Sequence, residues 1–92
     1  MRVVWDEEGL TYITLRDEVK KKVEEQVAKL DPQKLEKLRE YEEYGDEIVL
    51  DEPDPMEGLY VKVVKHEGKY KLIAGIWEHV YREEYYVAEV HK

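Results

Sequence analysis

The chain is 92 residues long, 42% apolar and 41% charged, with a net charge of -8. That length and apolar fraction suit a single domain with one modest core, and the acidity disfavours a nucleic-acid partner, because phosphates are repelled unless basic residues are segregated. Cysteine is absent, which excludes disulfides, thiolate catalysis and cysteine-based zinc sites.

Serine, asparagine and phenylalanine are absent as well, while Glu, Lys, Val and Tyr are abundant. Avoidance of the thermolabile residues Asn and Cys matches the bias of hyperthermophile proteins, and that origin is the expectation. No apolar run approaches a membrane span and no signal peptide opens the chain, so a cytoplasmic location is expected.

Arg2-Val3-Val4-Trp5, the loop Asp6-Glu7-Glu8-Gly9 and Leu10-Thr11-Tyr12-Ile13-Thr14-Leu15 predict an N-terminal β-hairpin. A helix follows over about 16–30. Val19, Val23, Val27 and Leu30 draw a narrow apolar stripe, and Thr14 with Asp17 resembles a capping box. Asp31-Pro32 places an N-cap and a first-turn proline at the start of a second helical segment, about 32–44, with Gly45 as its stop. Leu35, Leu38, Tyr41 and Tyr44 form a slanted stripe suited to packing on a sheet. Whether these are two helices or one bent element is open at this level.

Glu47 to Leu50 is a short strand candidate, followed by an acidic loop held open by Pro53 and Pro55. An antiparallel meander then runs over about 59–66, 70–80 and 84–91, with turns at Glu67-Gly68 and around Arg82-Glu83. The fold class is α+β.

The meander is apolar on both faces, which is unusual for a small antiparallel sheet. Pairing His66 with Lys69, and Tyr81 with Glu84, sorts its side chains. Leu59, Val61, Val63, Tyr70, Leu72, Ala74, Ile76, Val80, Tyr85 and Val87 fall on a core face for the helices. Tyr60, Val64, Ile73, Trp77, Tyr86, Ala88 and Val90 fall on the other, with Lys62, Lys71, His66 and His79 at its margins. Gly75 lies opposite Tyr60, so the ring is expected to cover the bare glycine. The second face needs a cover: the N-terminal hairpin, a second copy, a partner, or a ligand in a groove. Tyr60, Ile73, Trp77, Tyr86 and Val90 are the candidate interaction surface.

The charge follows the same division. Residues 1–58 hold 9 Lys/Arg against 18 Asp/Glu, net -9; residues 59–92 hold 6 against 5, net +1. The strand region is near neutral inside an acidic chain.

Catalytic chemistry finds little foothold. Thr11 and Thr14 have no histidine nearby in sequence, and the five glycines never form a phosphate loop. On the register above, His66 and His79 share a face roughly 30 Å apart, while His91 points away, so no metal site is expected. The carboxylates Asp51, Glu52, Asp54 and Glu57 lack EF-hand spacing and its glycine. No cofactor and no enzymatic activity are expected.

Two family resemblances are present. The order strand, helices, then Gly58-Leu59-Tyr60-Val61-Lys62-Val63, Lys69-Tyr70-Lys71-Leu72-Ile73 and Tyr85-Tyr86-Val87-Ala88-Glu89-Val90 resembles the small RelE/ParE toxin fold. That resemblance implies a ribosome- or gyrase-directed toxin with an antitoxin partner; the acidity of the chain, and a strand over Glu7 to Leu15 where the family starts its helix, depart from it. Asp31-Pro32-Gln33-Lys34-Leu35-Glu36-Lys37-Leu38 and Gly68-Lys69-Tyr70-Lys71-Leu72-Ile73-Ala74-Gly75 resemble segments of ParB-like nucleotide-binding domains. There the family follows its glycine with basic residues, whereas this chain has Ile76-Trp77-Glu78. The expectation from the residues themselves is a non-enzymatic binding or self-association module, acting through a homodimer or a protein partner.

Overall fold

A computed structural model describes residues 1–6, 15–42, 45–78 and 81–92. Five antiparallel strands form one sheet in the order β1-β5-β4-β3-β2: β1 (Arg2–Trp5), β2 (Glu47–Val49), β3 (Leu59–His66), β4 (Lys69–Glu78) and β5 (Tyr81–His91). Two helices, α1 (Asp17–Ala28) and α2 (Pro32–Glu36), lie in the connection between β1 and β2. The class is α+β, as the sequence predicts. Among the described residues no helix is long and apolar enough to cross a membrane.

The inner layer follows from helical periodicity meeting strand alternation. Val19, Val23 and Val27 of α1 are buried, with Leu35 and Leu38, against Leu59, Val61, Val63, Leu72 and Ala74 of the sheet. The helix start has no side-chain cap; instead the Arg16 guanidinium pairs with the buried Asp54 of the loop before β3. Thr14, the expected cap, lies outside the described residues, as do most of the predicted second hairpin strand and Val80 and His79. The α2 start is as expected: Asp31 Oδ1 accepts the Gln33 N–H at 2.9 Å, with Pro32 in the first turn.

α2 ends at Glu36, well short of the predicted Tyr44, and Gly45 is not its stop. Three non-local bonds claim the chain first. The Tyr41 N–H donates to the Lys65 carbonyl at 2.6 Å, and the Glu40 carboxylate accepts the N–H groups of Glu67 and Gly68 at 2.9 and 2.8 Å. Asp46 accepts from the Arg39 N–H and guanidinium. Residues 39–42 thus form a strap along the edge of β3, beyond the end of β2. Gly45 serves that strap, because a Cβ there would collide with the backbone of Glu40 and Tyr41.

The β3–β4 hairpin is as predicted, with His66 opposite Lys69 and positive φ at both Glu67 and Gly68. The β4–β5 register is not. Glu78 pairs with Tyr81, so Arg82 and Glu83 sit inside β5 rather than in a turn, and Glu84 lies opposite Gly75 instead of Tyr81. That displacement, from Tyr81 to Gly75, is an even number of residues, so the faces up to Tyr86 are preserved. A bulge then changes them. Ile73 pairs with Tyr86 but Leu72 pairs with Ala88, leaving Val87 as the extra residue. Val87, Ala88 and Val90 all join the inner core. Val90 and Ala88, assigned to the outer face from the sequence, therefore belong to the inner one. His91 swaps the opposite way, with Glu89, onto the outer face.

Candidate interaction surface

Among the described residues no second layer of strands lies over the outer face: β1 lies in the plane of the sheet, at its edge beside β5, with Val3 opposite Val90 and Trp5 opposite Ala88, while most of the second strand of the predicted hairpin lies outside the described residues. What covers the middle of this face is a set of rings and one ion cluster. Tyr60 lies across Gly75, where any Cβ would strike its ring, and its ring centroid is 5.7 Å from that of Trp77. Tyr86 meets His66 at 5.3 Å. Beneath these rings Ile73 and Val64 are buried.

Lys62 stands at the centre rather than the margin, and only 1% of it is exposed. A buried ammonium is tolerated where its donors are matched, and here three acceptors stand at 2.8 Å: Glu47 Oε2, Glu84 Oε2 and the Tyr41 hydroxyl. The cation also sits 4.8 Å from the Tyr41 ring centroid. Burial by itself would lower the Lys62 pKa; the hydrogen bonds to Glu47, Glu84 and Tyr41 outweigh it and hold the ammonium above the ordinary lysine value. Lys62 is therefore a fixed cation, unsuited to act as a nucleophile. Tyr41 reaches it from the strap, so the predicted helical stripe is split: Leu35 and Leu38 pack inside, and Tyr41 covers the outside. Tyr44 lies outside the described residues.

Towards β1 the face carries a second ion cluster. Glu89 accepts from Lys71 Nζ at 2.6 Å and from His91 Nε2 at 2.9 Å, and these two hydrogen bonds, His91 first, pull its carboxyl down to about 2. A recess of about 350 Å³ opens here, lined by Val4, Trp5, Asp6, Lys71, Tyr86, Ala88 and Glu89. Burial raises the Tyr86 hydroxyl's pKa.

Of the residues singled out in the sequence, Tyr60, Ile73, Trp77 and Tyr86 share this face, and Val90 does not. Tyr60 and Ile73 form its floor; Trp77 is 57% exposed and Tyr86 43%. Val4, 40% exposed, completes the accessible apolar set towards β1 and escaped the sequence reading. So did the role of Lys62, although a single cation inside the run Leu59 to Val64 signals a need for buried acceptors. Among the described residues no group of three His, Asp or Glu side chains is arranged to hold a metal ion.

Compared with known proteins, the chain gives no significant match to a family model, a curated protein or a solved structure.

Proposed function

We propose that the protein is a small non-enzymatic binding module that associates with protein through the outer face of its sheet. The observation that carries this reading is the exposure of Trp77 and Tyr86 on the face opposite the helices, above a floor made rigid by Tyr60, Gly75 and Ile73. Large aromatics held on a stiff support bury much area at little entropic cost, and such residues dominate interface energetics. The Lys62 cluster and the strap along the β3 edge fix the surface, which reduces the ordering needed on association.

Association of the chain, with itself and with the products of genes encoded beside it, tests the reading. Trp77→Ala and Tyr86→Ala are each expected to weaken binding by about tenfold or more, whereas Glu25→Ala, on the exposed side of α1, leaves it unchanged. Binding indifferent to Trp77 overturns the proposal. Growth arrest on expression, relieved by a co-encoded partner, would replace it with the toxin reading.

A further inference from the structure

We infer that the occupant of the outer face is a second copy of this chain, docked about a two-fold axis so that Trp77 of each copy enters the other's recess beside Tyr86. This inference rests on the reading of that face as the binding surface, and deepens it by naming the partner.

Two independent features select a second copy. The first is shape. A two-fold interface must be self-complementary, residue for residue. The outer face carries a projection and a hollow at separate positions: the exposed Trp77 on β4, and the recess bounded by Val4, Lys71, Tyr86 and Glu89. Its volume, about 350 Å³, is at the small end for ligand sites and suits one large side chain. Trp77 and Lys71 lie on the same face of β4 roughly 20 Å apart at about 3.3 Å per residue. A two-fold axis between them brings projection to hollow twice.

The second feature is charge. Each chain carries -8, so two copies repel wherever their acidic surfaces meet. The outer strand positions are the exception: Arg2, Lys62, Lys69 and Lys71 stand against Glu47, Glu84 and Glu89. Near the projection the Lys62 cluster shows its carboxylates, Glu47 and Glu84, with Lys62 itself buried; near the hollow Lys69 and Lys71 stand beside Glu89, so the two-fold brings an acidic end of the face to a more basic one. A strongly basic partner would be drawn to the acidic remainder of the molecule instead.

The solution mass of the full chain, from low micromolar to several hundred micromolar, tests the inference. The wild type is expected to reach the mass of a dimer, with a melting temperature that rises with concentration. Trp77→Glu and Val4→Lys, both at exposed positions, are each expected to raise the dissociation constant about tenfold or more. Mixing the two variants should restore association, since one intact Trp77 then meets one intact recess and the introduced charges are opposite. A wild-type dimer insensitive to both variants, or a mixture no tighter than either variant alone, overturns the docking. A wild-type chain that stays monomeric, yet binds a co-encoded protein in a Trp77-dependent way, overturns the second copy as occupant and leaves the surface reading standing. A monomer without any Trp77-dependent binding overturns both.

Discussion

The two faces of the sheet are built on different principles. The inner face is a continuous apolar layer in which Val61, Val63, Leu72 and Ala74 meet Val23, Val27 and Leu35, all with no exposed surface. Among the described residues the outer face has no second layer to bury against. It is assembled from one buried ammonium with three acceptors, two ring pairs and a strap. Inside, burial is non-directional, so shape and volume set the stability. Outside, each contact is directional, and removing one partner leaves the others stranded. A 92-residue chain too small for two cores thus orders its second face with polar matching, and leaves two aromatics accessible above it.

Truncating the inner face should have the largest effect. Leu72→Ala removes a fully buried side chain from the centre of the sheet and should cost about 2–5 kcal/mol by urea unfolding. On the outer face Lys62→Ala is expected to cost about 1–3 kcal/mol, through the uncompensated Glu47, Glu84 and Tyr41; both carboxylates keep some access to water, which limits the loss. Lys62→Met keeps the stem and should cost less than Lys62→Ala. Equal costs for Met and Ala would mean that the ion cluster, rather than packing of the stem, carries the whole contribution.

The same lysine gives the outer face a pH signature that the inner face lacks. Its native pKa is raised, so the unfolded chain loses the proton first as pH increases. The contribution is intact below the unfolded value of about 10.4 and declines above it by about 1.4 kcal/mol per pH unit. Urea midpoints measured into the alkaline range should fall more gently for Lys62→Met than for the wild type. Parallel slopes would show that Lys62 does not hold its proton more tightly when folded.

Gly75→Ala comes next. The new methyl group occupies the space of the Tyr60 ring, which must swing away from Trp77 and uncover the floor. The expected cost is about 1–3 kcal/mol, with a change in Trp77 fluorescence. The paired variant Gly75→Ala, Tyr60→Ala should lose less than the sum of the single changes.

Legibility in the sequence differed between the faces for identifiable reasons. The β3–β4 hairpin is written locally, in a two-residue turn whose Gly68 accepts positive φ, and its register follows. Inner-face membership survived a mistaken β4–β5 register because the displacement was even. The bulge at Val87 left no such trace: Tyr85-Tyr86-Val87-Ala88-Glu89-Val90 is apolar at both parities, so alternation cannot place the extra residue. Hence Val90 moved inward. The strap was hidden for another reason. Leu35, Leu38 and Tyr41 satisfy helical spacing, and the bonds that end the helix come from Lys65, Glu67 and Gly68, far along the chain. Trp77, Tyr60 and Tyr86 were placed together from sequence; the cation that organises their floor was not.

The smallest effect separates the two ion clusters of the outer face from each other. Glu89 is bonded by His91 and Lys71 at the rim, in contact with water, whereas Lys62 is enclosed. Screening by solvent makes the rim pair a weak contributor to stability, but its titration is still distinctive. With its carboxyl pulled down to about 2, Glu89 stays ionised where unfolded glutamates protonate. Its contribution is therefore present above the ordinary value of 4.5 and lost as pH falls through about 2. Side-chain carboxyl NMR should show this late midpoint, and His91→Ala and Lys71→Ala should each move it upward, since each removes a hydrogen bond that holds it down. A midpoint near that of an ordinary glutamate would mean that the Lys71–Glu89–His91 cluster does not persist in solution, and would leave the recess beside Tyr86 without its charged rim.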